Sequence, residues 1–212
     1  MAEQLPCERY LDAGCGDGRY LAALAGLPAR PRHVAATDIS QRILEVASAA
    51  AAGAGIEVET VRANLEALPF PDGSFDVVLC TQVIEHLLDP ARGLAEIARV
   101  LAPGGHAVIT TDHRGNLVTK LLNLPRTIGV RVLGLRGRNV LVAFPHRDFG
   151  REEVARLARD AGLEVERTET FRFSLQRPLD WKPGVRILNG LERRLPRHGV
   201  GDIVAVVACR AD

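Results

Sequence analysis

Tyr10-Leu11-Asp12-Ala13-Gly14-Cys15-Gly16-Asp17-Gly18-Arg19-Tyr20-Leu21 joins a short apolar run to a helix-like segment through an acid and alternate glycines. Glycine at such spacing lets the backbone turn sharply and approach a ligand closely, with N–H groups and a helix N-terminus facing it. The spacing also separates two ligand classes. A dinucleotide-binding loop reads G-x-G-x-x-G and needs glycine where this chain has Arg19. The pattern here is D-x-G-x-G-x-G.

Beyond this loop, β-branched runs alternate with alanine- and leucine-rich helical patterns, which predicts βαβ units around a parallel sheet. Strands are expected near Arg9–Asp12, His33–Thr37, Ile56–Ala63, Phe75–Cys80, His106–Thr111, Leu163–Thr170 and Ile203–Cys209. Helices are expected over Arg19–Leu24, Gln41–Ala52, Pro90–Leu101 and Arg151–Ala161. Ser40 is placed to cap the second helix, Pro103-Gly104-Gly105 to end the third, and Gly162 to stop the last.

A chain of 212 residues with 47% hydrophobic content is long enough for one domain with a proper core. The opening residues carry an acid and a proline where a secretory signal would be basic and then apolar. No apolar run reaches the length of a membrane span. Cys7, Cys15, Cys80 and Cys209 are scattered, with neither metal-ligand spacing nor a disulfide framework. A cytoplasmic protein with reduced thiols and no metal is the expectation.

The net charge of +1 conceals a strong asymmetry. Residues 113–147 hold seven Lys or Arg and no acid, and residues 172–198 hold seven against Asp180 and Glu192. The rest of the chain therefore carries a net −11. Both basic stretches fall where the helix–strand alternation breaks, at about 112–148 and 172–198.

The glycine loop and the stretches Asn64–Asp76 and Asp76–Leu87 resemble motifs of the class I S-adenosylmethionine (SAM)-dependent methyltransferases, in particular the ubiquinone and menaquinone biosynthesis group. The resemblance covers roughly residues 8–111 and returns at 146–170. It implies a Rossmann-like α/β fold: a seven-stranded, mostly parallel sheet with an antiparallel last strand and helices on both faces. It further implies a single domain over residues 1–212, in which the two basic insertions form a substrate cover. SAM is the implied cofactor and S-adenosylhomocysteine the product. Asp12, Gly14, Cys15, Gly16 and Gly18 form the implied cofactor loop. Asp38, ending the second strand, would accept the ribose hydroxyls, although a capping role is the alternative reading of that residue. Ile39 would pack on adenine, with Asn64 and the Leu65 N–H at its edge. Many family members have Asp where this chain has Asn64, so the contact loses a charge but keeps an acceptor. Cys80 and Thr81 would line the methionine end through backbone carbonyls. Neither Cys80 nor Cys15 is needed as a nucleophile.

The sulfonium already activates the methyl group, so the protein has to position a nucleophile and remove its proton. His86, His113 and His146 are candidate bases by position, each with an alternative as a capping or polar loop residue. The acceptor atom is expected to be oxygen or carbon on a small, hydrophobic or phosphorylated molecule. Apolar residues interleaved with arginine in the insertions suit an anionic membrane surface, to which peripheral contact is expected. A soluble metabolite ranks second. Nucleic acid ranks last, because the insertions hold few aromatics for stacking. Two rivals stand: a SAM-binding regulatory or scaffolding protein without turnover, and a nicotinamide-dependent oxidoreductase, which Arg19 and the Asn64–Asp76 stretch disfavour.

Overall fold

Side chains alternate across the first strand, β1 (Arg9–Ala13), and both faces are covered. Tyr10 joins one apolar cluster and Leu11 the other. A strand buried on both sides belongs in the middle of a parallel sheet, and there it lies. The computed structural model describes residues 7–114, 147–171 and 203–211. Its strands are β1, β2 (His33–Asp38), β3 (Glu59–Arg62), β4 (Phe75–Thr81), β5 (Leu101–Asp112), β6 (Leu163–Phe171) and β7 (Ile203–Arg210), in the order β3-β2-β1-β4-β5-β7-β6. The first five pair in parallel, while β7 runs antiparallel to β5 and to β6. This is the sheet expected from the sequence. The chain steps outward from β1 in one direction through β2 and β3, then resumes on the other side at β4. That reversal opens a crevice beyond the carboxyl ends of β1 and β4, where open α/β sheets hold ligands.

Helices α1 (Arg19–Ala23) and α2 (Gln41–Gly53) cover one face, burying Leu21, Leu44, Ala47 and Ala51 with Tyr10 and Val34. Helices α3 (Pro90–Val100) and α4 (Arg151–Asp160) cover the other, where Leu94, Ile97, Phe149 and Val154 meet Leu11, Val78 and Ile109. The Ser40 cap is the one expected from the sequence, and two more accompany it. The Ser40 hydroxyl accepts from the Ile43 N–H at the start of α2, and the Asp89 carboxylate from the Arg92 N–H before Pro90 at the start of α3. Glu153 reaches back to accept from the Gly150 N–H at the start of α4.

Two boundaries differ from expectation. β3 begins at Glu59, three residues after Ile56, because Ile56 closes the end of α2. Gly55 turns left-handed at φ 73° and the Ile56 N–H donates to Ala51 O, which buries Ile56 as the apolar stop of a Schellman motif. Pro103-Gly104-Gly105 does not end α3, which stops at Val100. Leu101 already pairs with Phe75, and the next pair is Val77 with His106. The Pro-Gly-Gly is thus a bulge inside β5. Gly105 is required there, since a Cβ would lie 2.8 Å from the Ala102 carbonyl oxygen.

Polar ties fix the loops beside the crevice. Asp76 accepts from the Arg9 guanidinium at 2.5 Å and from the Glu8 and Arg9 N–H groups, locking β1 to β4. The Arg99 guanidinium donates to Glu96, to Asp72 and to the Leu68 and Phe70 carbonyls, while Glu96 accepts from the Leu68 N–H at 2.7 Å. Helix α3 therefore holds the loop that begins at Asn64. No helix among the described residues is long and apolar enough to cross a membrane.

Candidate active site

A cavity of about 940 Å³ fills the crevice at the sheet reversal. Its first wall is the glycine loop. The Gly14 and Cys15 N–H groups both donate to the Thr37 carbonyl, at 2.8 and 2.9 Å, which pins the loop across the end of β2. Gly16, at φ 52°, lines the cavity, and a Cβ there would meet nothing within 4 Å. Gly18 faces away from it. A Cβ on Gly18 would lie 2.7 Å from Ala47 Cα and 2.8 Å from Ala47 O, so this glycine exists for the close approach of α2. Asp17 and Arg19 pair on the rim, with Arg19 Nε at 2.9 Å and Nη2 at 2.8 Å from the carboxylate.

The second wall comes from β2 and the loop after β3. Asp38 lines it, with Oδ1 accepting from the Ser40 N–H at 2.9 Å. The capping contact and a place on the cavity wall thus coexist, because a carboxylate has a second oxygen. Ile39 is 57% exposed on the same wall, an unusual setting for so large an apolar side chain. Asn64 and Leu65 follow, with Asn64 Oδ1 accepting from the Glu66 N–H at 3.0 Å, so one of its two acceptor positions is engaged.

The third wall is built from the ends of β4, β5 and β7: Thr81, Gln82, Val83, His86, Thr110, Asp112 and Ile203. Gln82 holds φ 56°, a left-handed conformation rare outside glycine, fixed by its N–H donating to Thr110 O at 2.9 Å. His86 closes a short 3-10 turn over Ile84–His86 and is exposed. Its neighbour Glu85 is buried, accepts from the Thr111 hydroxyl at 2.9 Å, and through its carbonyl accepts from the Arg147 N–H.

Of the residues singled out in the sequence, Gly14, Cys15, Gly16, Asp38, Ile39, Asn64, Leu65, Thr81 and His86 share this cavity. Asp12, Gly18 and Cys80 do not line it. Cys80 is fully buried, and burial, then Glu85 and Asp12, push its thiol up. Burial, then Asp12 and Asp38, push the Cys15 thiol up to about 12. Neither thiol is disposed to become a thiolate near neutrality. His113 pairs with Phe149 in an isolated bridge and is not on the wall. His146 lies outside the described residues. Sequence reasoning passed over Gln82, Asp112, Tyr20 and Leu88, all on the wall. The signal available for the first two was their place at the carboxyl ends of β4 and β5.

The family model described as a methyltransferase domain matches residues 11–109. Ubiquinone biosynthesis O-methyltransferase of Thiobacillus denitrificans is 36% identical over 161 residues, which is 75% of this chain and 66% of that protein. The protein of that name in Ralstonia nicotianae is 35% identical over 168 residues, 79% of this chain and 67% of its own.

The chain belongs to the class I SAM-dependent methyltransferases.

It spans about two thirds of the length of those two relatives, 66% and 67%. A SAM-dependent methyltransferase from Mesorhizobium loti superposes with a TM-score of 0.68 at 20% identity, over 99% of this chain and 94% of the other, a likeness of fold.

The residues present fit the family's cofactor. Gly16 leaves open space beside backbone amides, Asp38 supplies a carboxylate for ribose hydroxyls, and exposed Ile39 supplies an apolar face for a purine. Asp12, beneath the loop, is buried, and neither of its carboxylate oxygens has a hydrogen-bond partner among the described residues. Asp38 would hold the ribose, Ile39, Asn64 and Leu65 the adenine, and Gly14, Gly16 and Thr81 the methionine half.

Proposed function

We propose that this methyltransferase-family protein transfers the methyl group of SAM to a hydroxyl oxygen of a hydrophobic acceptor that enters along the β4–β5–β7 wall. The observation that carries the reading is the make-up of that wall and its mouth. His86, Gln82 and Asp112 supply polar groups from strand ends, while Leu88, 85% exposed, and Tyr20, 42% exposed, present apolar surface at the rim. Three of the four large, exposed hydrophobic residues of the described chain, Tyr20, Ile39 and Leu88, border this one cavity. Among the described wall residues Arg19 is the one Lys or Arg, and Asp17 already holds it in a two-point contact. The names of the two O-methyltransferase relatives support oxygen as the acceptor atom.

SAM supplies a methyl group already activated by its sulfonium. The chain has to hold the nucleophile in line, keep water out and accept a proton, and positioning alone contributes on the order of 7 kcal/mol or more. His86 is the residue we assign to take the hydroxyl proton, contributing roughly 10²–10⁴-fold. Gln82 presents an amide that donates and accepts, from a backbone held in a left-handed conformation. The basic insertions at about 112–148 and 172–198 lie largely outside the described residues and belong to this reading on their sequence alone: we assign to them the covering of the acceptor and contact with an anionic membrane surface.

The test incubates purified protein with methyl-labelled SAM and either a prenylated catechol or a water-soluble catechol. Label in the prenylated product, lost in His86→Ala with SAM affinity unchanged, is the expected result. Transfer to the soluble catechol alone would replace the hydrophobic acceptor with a soluble metabolite. Intact SAM binding with no label in any acceptor would favour the non-catalytic rival.

A further inference from the structure

Gly93 is buried in α3 and does not line the cavity. Alanine is the better helix former, so the helix itself does not ask for glycine there. The reason lies across from it. A Cβ at this position would stand 2.5 Å from Leu87 Cδ1, and 3.6 and 3.7 Å from Leu65 Cγ and Cδ2. Leu65 is already at ordinary contact distance, whereas Leu87 lies back into the space that a side chain on α3 would fill. Leu87 itself lines the cavity, between His86 and the exposed Leu88.

The backbone of Leu87 is held on both sides. Before it, Glu85 is buried and accepts from the Thr111 hydroxyl at 2.9 Å, and the Leu87 N–H donates to Ile84 O at 3.3 Å. After it, the Asp89 N–H donates to Glu66 at 2.9 Å, and the Asp89 carboxylate caps α3. Leu87 packs against the core cluster that contains Ile84, Leu65 and Leu94, all buried. Carbon atoms pack at about 3.5–4.0 Å, so a methyl group on residue 93 would drive Leu87 Cδ1 away by about 1–1.5 Å. With the backbone held and the core filled, the open direction is the cavity.

We propose that Gly93 is a positioning residue for acceptor size: by giving Leu87 a place against α3, it keeps the cavity wide beside His86 and admits a bulky apolar acceptor. The inference rests on the reading of this wall as the acceptor side. Gly93 acts through Leu87 and touches neither cofactor nor acceptor. Leu65, on the adenine side, keeps its place when a methyl group is added, so SAM binding stays as it is.

The test measures transfer from methyl-labelled SAM to a prenylated catechol and to unsubstituted catechol. In Gly93→Ala the KM for the prenylated catechol should rise about tenfold or more, the scale of one methylene in an apolar pocket. Its kcat/KM for catechol and its SAM dissociation constant should match the wild type. Removing the displaced side chain, in Gly93→Ala/Leu87→Ala, should restore the prenylated acceptor. An equal loss on both acceptors, an unchanged KM for the prenylated one, or a loss that the double variant does not rescue would overturn the proposal and leave the acceptor reading standing. A wild type that methylates catechol alone, or neither compound, would overturn the acceptor reading, and this inference with it. Should Gly93→Ala fail to fold, Leu87→Phe, too large for the recess over Gly93, should raise the same KM selectively, and an unaltered KM there would overturn the proposal.

Discussion

Gly16 and Gly18 stand two residues apart in one loop, yet alanine should harm the protein in opposite ways at the two positions. Both hold left-handed backbone, at φ 52° and 76°, so each substitution carries about 1–2 kcal/mol of conformational penalty. At Gly16 little is added to the folding cost, because a Cβ meets nothing within 4 Å. The methyl group would instead occupy space on the cavity wall, where the cofactor's backbone contacts form. At Gly18 the new Cβ would sit 2.7 and 2.8 Å from backbone atoms of Ala47, which cannot rotate away. The loop and α2 must separate, which adds about 1–3 kcal/mol of overpacking. Gly18→Ala should thus cost roughly 2–5 kcal/mol in total, a fall in Tm of about 2–4 °C for each kcal/mol. Gly16→Ala should lose only the smaller part of that stability but weaken SAM binding by roughly tenfold to a hundredfold. Circular dichroism melting and calorimetric titration of both variants read the two quantities separately. Equal stability of the two variants, or wild-type SAM affinity in Gly16→Ala, would refute the division of labour argued for this loop.

Asp38→Ala should weaken SAM binding by about 2–4 kcal/mol, because a charged acceptor of ribose hydroxyls is lost; an unchanged dissociation constant by calorimetry would place the ribose elsewhere. Arg99→Ala should destabilise the fold by about 1–3 kcal/mol and also weaken SAM binding, since Arg99 ties the Leu68 and Phe70 carbonyls of the loop that carries Asn64 and Leu65; a loss of stability with unaltered affinity would uncouple that loop from the site. Burial works against ionised Asp76, but the Arg9 guanidinium and the Arg9 and Glu8 N–H groups outweigh it and hold the carboxyl below its usual range. A depressed folded-state pKa gives stability that is present above the unfolded value of about 3.9 and lost as pH falls through the folded one. Asp76→Asn should therefore cost about 1–3 kcal/mol at neutral pH in urea unfolding, with the gap from wild type closing only below about pH 4, and a gap independent of pH would contradict the ion-pair account.

The fold was legible because each of its signals is local. The acid and glycines after Tyr10-Leu11 fix a strand, a tight loop and a helix within a few residues, and Ser40 announces the helix it caps. What the sequence hid depends on distant backbone. The spacing of Gly14, Gly16 and Gly18 is uniform, but only the placement of α2 reveals that Gly18 serves packing while Gly16 borders the cavity. Pro103-Gly104-Gly105 reads equally well as a helix stop or as a bulge, and the pairing of Leu101 with Phe75 selects the bulge. Ile56 looks like strand because it is β-branched, yet the left-handed Gly55 turns it onto α2 instead. The positive φ of Gln82 has no sequence signature, since it arises from the exit of β4 beside Thr110. Asp12 reads in the sequence as part of a cofactor loop, and only the closing of β2 and β4 around it reveals its complete burial, with no hydrogen-bond partner among the described residues.

The most direct trial of the account follows the methyl group itself. Protein supplied with methyl-labelled SAM and an extract of its source cells should place label in the organic phase, in a product whose ether linkage resists mild base, and Asp38→Ala should suppress that label. Label confined to aqueous metabolites, or a base-labile ester, would contradict transfer to the hydroxyl of a hydrophobic acceptor.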